Sequence, residues 1–326
     1  MAGELRFAFS ATDVARTRFA VSPLWEVVAS VRTFKTAGPH SVHRGWRRDV
    51  APRLAAAGLD AGLLADLVPS AGYTPDFITP PPLPGGSVLD AELREVAATP
   101  AQEVRRELDE YGLHTERIRR LHADPAAGLA RLAAEISAYW DLALAPYWPR
   151  LQGVLEADVF HQARRLATDG AEAVLGSLHP SVRWGAGTLT VRHKTCPAET
   201  VLGGKGLVLV PSVFAWSSVA ATTATPVAKQ LFYPSRGWGS VWEESRAAVP
   251  EAVAAVLGRT RALLLAELTV PASTSELAGR TGLSAGGVNQ HLTALRDAGI
   301  VSAHRAGRSV LYMRTAVAES LLAASA

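Results

Sequence analysis

The stretch "LSAGGVNQHLTALRDAGIV", Leu283 to Val301, decides how the last quarter of this 326-residue chain is read. At 3.6 residues per turn, Val288, Leu292 and Leu295 fall on one stripe. Gly286, Asn289, Gln290, Thr293 and Arg296 fall on a separate, polar face. Ser284 stands where its hydroxyl can satisfy a free backbone N–H at the helix start, and Gly299 stands where a helix stops. The helix is therefore expected to dock by its aliphatic side and to show amide, hydroxyl and guanidinium groups outward. Asn and Gln pair bidentately with adenine and Arg with guanine, so this face suits base edges. Alone, the pattern fits an ordinary amphipathic surface helix equally well, and its neighbours decide between the two readings.

Upstream, "STSELAGRTG" (Ser273 to Gly282) is a short helix with a capping box, Ser273 or Thr274 at its start and Glu276 three residues after Ser273. Only "TGLS" joins it to the next helix, the tight link of a helix-turn-helix. Downstream, "IVSAHRAGRSVLYMRT" alternates into a hairpin with Gly307 at its tip and Arg305 and Arg308 beside it. A basic hairpin in that position is a wing, placed to touch backbone or minor groove. Each piece is weak by itself; in this order and spacing they point to a DNA-reading domain. Ser284, Arg305 and Arg308 are expected on phosphates, and Gly286, Asn289, Gln290, Thr293 and Arg296 in the major groove. His291 lies nearer the leucine stripe and is expected to pack or to touch a phosphate.

On these motifs, Pro250 to Thr315 resembles the winged-helix domain of ArsR-type bacterial transcription regulators. The resemblance implies a homodimer on a near-palindromic operator in double-stranded DNA, joined through the helices flanking the reading head, with half-sites roughly 34 Å apart. It also implies a repressor. Metal-sensing members carry paired cysteines in the helix before the recognition helix, or His and Asp ligands in the last one. Here those regions read "TSELAGRT" and "TAVAESLLAA", with no cysteine or histidine, so the family's metal chemistry is not carried over.

Composition sets the outer limits. Hydrophobic residues make up 48% and charged residues 19%, enough apolar surface for two folded domains. The net charge of +3 is too small to indicate nucleic acid, but seven arginines between Arg259 and Arg314 face only Glu267, Glu276 and Asp297. The single cysteine, Cys196, excludes an internal disulfide, and the opening residues lack a signal-peptide pattern. The most apolar stretch, "GLVLVPSVFAW", is too short to span a bilayer, so a cytoplasmic protein with no membrane partner is expected.

Ahead of the winged helix, Leu5, Phe7 and Phe9 alternate as in a half-buried strand, and Ser10 or Thr12 opens a helix through "DVARTRFAVSPLWEVVASVRTF", with Pro23 marking a break or a new start. Helices continue to residue 175 around a Pro-rich loop at Tyr73–Gly86; strands then follow at Thr188–Lys194, Gly206–Phe214 and Lys229–Pro234. The expected class is α+β: a mixed domain over 1–244, with a sub-boundary near 176–187, and a winged helix-turn-helix domain over 245–326. The opening "LRFAFSATDVARTRFAVSPLWEVVASVRTF" resembles actinobacterial regulators that place a long region ahead of an ArsR-type winged helix, a resemblance that carries no ligand motif.

Six of the eight tryptophans fall between Trp140 and Trp242. Trp140, Trp148, Trp184, Trp216, Phe232 and Trp238 are expected to line a small-molecule effector site, although large aromatics also simply fill a core. No cofactor, metal site or catalytic constellation is legible. His193 and Cys196 point to opposite faces of a strand; His40 and His43 read as surface histidines; "VLGGKGLVLV" precedes a strand where a phosphate loop needs a helix. "GWGSVW" lacks the spacing of a nucleophile elbow, and the acids of "REVAATPAQEVRRELDEYG" alternate with arginines as on a solvated face. Two rival readings remain: an enzyme-like domain with an appended winged helix, and a winged helix that binds protein.

Overall fold

The alternation of Leu5 and Phe7 becomes strand β1 (Gly3–Ala8), which buries both side chains. The computed structural model describes residues 3–36, 42–84, 88–112, 114–193, 198–215, 219–222, 228–242, 251–268, 271–306 and 309–323. They fall into two units, Met1–Val241 and Trp242–Ala326. The fold is α+β.

In the first unit, α1 (Ala11–Arg16) is opened by a full capping box between Ser10 and Asp13. It ends at Arg16, and Pro23 marks a new start, one of the two roles the sequence offers it. The Thr17 hydroxyl bonds the Asp13 carbonyl at 2.8 Å, the chain extends into β2 (Arg18–Phe19), and Ser22 caps a new helix, α2 (Pro23–Lys35), with Pro23 in its first turn. Short helices follow: α3 (Arg44–Ala56), α4 (Leu63–Leu67), α5 (Leu89–Ala97), α6 (Ala101–Tyr111) and α7 (Glu116–Ala123). The long α8 (Pro125–Ala143) buries Leu129, Leu132, Ile136, Tyr139 and Ala143 at helical spacing. The Pro146 break is a 3-10 turn, and Pro149 lies in the first turn of α9 (Trp148–Ser177), which Gly170 kinks at φ +82°.

Strands β3 (Val182–Gly185), β4 (Thr188–His193) and β5 (Ala198–Val201) join β1 in a sheet of order β3-β4-β1-β5. Strands β6 (Leu207–Ser212), β7 (Ala220–Thr222) and β8 (Lys229–Pro234) join β2 in a second sheet, order β2-β6-β8-β7, in which β2, β6 and β8 are parallel. Both sheets take a strand from the first nineteen residues, so the change of character at 176–187 is a change of element type inside one unit. Leu5, Phe7, Leu189, Leu209, Leu231 and Tyr233 share one core with Val174 and Leu175 of α9. On the other face of β8, Phe232 stacks on Trp25 of α2. Covered on both faces, β6 is apolar from Leu207 to Pro211, and all six of its residues are buried.

Buried and half-buried carboxyls hold several segments together. Glu92 accepts the Leu24 N–H (2.8 Å), and Glu135 accepts those of Leu63 and Leu64 at the start of α4. Glu107, expected on a solvated face, is fully buried with Val104 and Leu108 and accepts the Phe77 N–H at 3.1 Å; burial pushes its pKa up to about 7. The solvated-face reading fails there because residues 104, 107 and 108 share one side of α6.

The second unit runs α10 (Glu251–Leu257), α11 (Arg259–Glu267), β9 (Ala272–Ser273), α12 (Thr274–Thr281), α13 (Ala285–Asp297), β10 (Val301–Ala306), β11 (Ser309–Arg314) and α14 (Ala316–Ala323). A three-stranded antiparallel sheet of order β10-β11-β9 closes over a core of Leu264, Leu265, Leu277, Val288, Leu292, Leu295 and Tyr312. Among the described residues no helix is long and apolar enough to cross a membrane.

Candidate nucleic-acid interface

α12 begins with the capping box of Ser273 and Glu276 and ends at Gly282, whose φ of +73° turns the chain toward α13. The Ser284 hydroxyl accepts the Gly287 N–H at 3.2 Å and starts α13. Val288, Leu292 and Leu295 are buried, so the helix docks by that stripe. Ser284, Gly286, Asn289, Gln290 and Arg296 are exposed together, while Thr293 and His291 are half-buried at the edge of the face. At Gly299, φ +69°, the helix stops: the Ile300 N–H reaches back to the Leu295 carbonyl at 2.9 Å. β10 and β11 then form the hairpin, with Arg305 exposed near its end. Gly307 and Arg308 lie outside the described residues.

Charge on this surface differs from the arginine count in two ways. Arg296 is paired with its neighbour Asp297, Nη2 to Oδ1 at 2.8 Å, and this exposed pair keeps its guanidinium firmly protonated. Arg314 is not a surface charge at all. Its Nε and Nη2 donate to the carbonyls of Leu265 and Ala266, at 2.7 and 2.6 Å, and Glu319 lies 3.7 Å away. A cation is thereby set at the C-terminal end of α11, where backbone carbonyls concentrate negative charge. The sequence held the signal: Tyr312 and Arg314 alternate onto the same side of β11, and Tyr312 is core.

The aromatic residues expected in one pocket lie in several places. Trp140 and Trp148 meet at 4.9 Å across the α8–α9 junction. Trp184 packs edge-on to Phe9, and Phe232 stacks on Trp25. Trp238 lies 6.5 Å from His43; Trp216 is outside the described residues. His43, expected at the surface, is 1% exposed and stacks on Phe214 at 4.7 Å, with Trp46 packed on the same ring. His40 and Cys196 fall outside the described residues. The glycine-rich loop before β6 is a turn whose N–H groups are turned inward: Gly206 donates to Asp13 at 3.1 Å, so an internal carboxylate occupies the place a phosphate would take. Among the described residues no group of three or more His, Cys, Asp or Glu side chains could hold a metal ion.

Missed entirely at the sequence level were Glu26, a single acid inside an otherwise apolar helical run, and Asp158, one of several polar residues along a mixed helix. Glu26 is 0% exposed and accepts the Val213 N–H at 3.2 Å; burial raises its pKa to about 8, against the lowering effect of Ser212 and the Val213 and Phe214 N–H groups.

Residues 270–302, from just before β9 into β10, match a family described as winged helix-turn-helix DNA-binding. Residues 110–239 match a family of unknown function (DUF5937). No curated protein and no solved structure matches the chain. The C-terminal unit carries a winged helix-turn-helix DNA-binding domain, which makes the chain a DNA-binding regulator of transcription.

Proposed function

We propose that this regulator is a dimeric, sequence-specific repressor of the ArsR type, answering to a small molecule and not to a metal. The observation that carries the reading is the exposed row of Gly286, Asn289 and Gln290 on a helix docked by Val288, Leu292 and Leu295, next to a basic wing. The first turns of α13 enter the major groove, as N-terminal residues of recognition helices do, with Thr293 and Arg296 farther along. Ser284, Arg305 and Arg308 hold phosphates. Exposed valines on α10 and α14, Val256 and Val317, support pairing of two copies through those helices. The mixed unit over 1–244 is the effector domain; 245–326 is the reading head. Metal-independence rests on the absence of cysteine and histidine from "TSELAGRT" and "TAVAESLLAA", which offer one glutamate each. The protein works on double-stranded DNA in the cytoplasm, without enzymatic activity.

Binding measurements on a selected operator test the assignments. Asn289→Ala or Arg296→Ala should relax discrimination at one base pair by about 1–3 kcal/mol. Arg308→Ala should weaken all DNA and reduce the salt slope by about one. If all three variants bound operator as the unmodified protein does, the contacts are misassigned.

A further inference from the structure

We propose that the first unit holds its small-molecule site at the carboxyl end of β6 and β8, and that the site takes a molecule with an aromatic body and N–H donors. The proposal deepens the effector reading and rests on it only for its regulatory meaning.

Parallel strands leave their ligand positions beyond their carboxyl ends. Here two carboxyl groups meet those ends from different helices. Glu26 of α2 accepts the N–H of Val213, just past β6, and Asp158 of α9 accepts the N–H of Arg236, just past β8, at 3.0 Å. The strand ends are tied to each other by the Ser235 N–H on the Ser212 carbonyl, 2.9 Å.

Asp158 is the centre of a polar group that the protein does not complete. Tyr233 donates to its Oδ2 at 2.6 Å. Gln162, one helical turn on, is 5% exposed and its Oε1 has no hydrogen-bond partner among the described residues; Ser235, beside Arg236, is 1% exposed and its Oγ has none among them. A carboxylate has about four acceptor positions, and Asp158 uses two. Buried polar atoms left alone are costly, so folded proteins complete them with water or ligand. Asp158, Gln162 and Ser235 offer acceptors, which asks for donors in the molecule that joins them. Aromatic rings follow both strand ends in the chain, Phe214 two residues past Ser212 and Trp238 two past Arg236. The neighbouring basic groups are Arg236 and His161, and burial, with Arg236 beside it, lowers the His161 pKa.

Three probes that share a ring and differ in head group separate the possibilities. Phenethylamine carries an ammonium, phenylacetamide a neutral amide, and phenylacetate no donor. Thermal unfolding of the full chain should shift upward with concentration for the amine or the amide, and not for phenylacetate. A shift with the amine alone assigns a cationic ligand; a shift with both assigns the N–H donor itself. Ser235→Ala and Gln162→Met should each abolish the shift and leave the ligand-free melting temperature unchanged or raised. The proposal is overturned by equal stabilisation from phenylacetate, by a shift that survives both substitutions, or by no shift with any probe. It is also overturned if both variants melt lower without ligand and no probe acts, the sign of an ordered water. A probe shift in a chain that binds no DNA would leave the site standing and remove its regulatory meaning.

Discussion

Replacing Glu26 by Gln should stabilise the first unit by an amount that grows with pH. In the unfolded chain this carboxyl loses its proton near 4.5; in the fold burial holds the proton until about 8. Between those values the unfolded state binds fewer protons, so stability falls as pH rises from 4.5 to 8 and is level above. At about 1.4 kcal/mol per pH unit, the full displacement costs about 5 kcal/mol. Gln keeps an oxygen for the Val213 N–H, now 3.2 Å from the carboxyl, and carries no charge to desolvate. The variant and the unmodified protein should therefore be similar at pH 5 and differ by several kcal/mol at pH 8. Glu107 and Asp158, whose pKa values burial also raises, are present in both proteins and cancel. Urea unfolding followed by tryptophan fluorescence reads this unit, which holds seven of the eight tryptophans. A difference that stays constant with pH, or an unmodified protein that gains stability between pH 5 and 8, refutes the reasoning.

Two further substitutions probe other parts of the account. Arg314→Met should cost about 2–4 kcal/mol by removing two charge-assisted bonds at the end of α11, yet leave the salt slope of DNA binding unchanged; a loss below about 0.5 kcal/mol in thermal unfolding would contradict that role. Gly206→Ala should cost at least about 2 kcal/mol, since its φ is +73° and the new Cβ would stand 2.5 Å from the Arg16 backbone; Gly58→Ala, at φ +67° in open space, should cost about half as much, and equal losses would remove the steric argument.

Legibility in the sequence followed the range of the interactions. The reading head is local: caps at Ser273 and Ser284, a stripe of Val288, Leu292 and Leu295, and a stop at Gly299 each lie within a few residues of what they govern, and all four are found as read. For Arg314 the local alternation with Tyr312 signals burial, but its partners, forty-eight and forty-nine residues away, leave no mark in the sequence. The first unit was harder for the same reason. β1 pairs with β4 and β5 nearly the whole unit later, and β2 is two residues long, recognisable only from its place beside β6. Aromatic clustering along the chain did not translate into clustering in space, because Trp140, Trp184 and Phe232 sit on a helix junction and on two different sheets. A lone acid in an apolar run, such as Glu26, carries no periodic signature at all.

The central claim is that α13 and its wing read a DNA sequence. Its most direct test is to bind the purified full chain to genomic fragments and sequence those retained across a salt series. The account predicts a short, near-palindromic motif whose binding weakens steeply as salt rises. Weak retention without sequence preference at any salt concentration would contradict it, and would mean that the exposed face from Ser284 to Arg296 meets something other than base pairs.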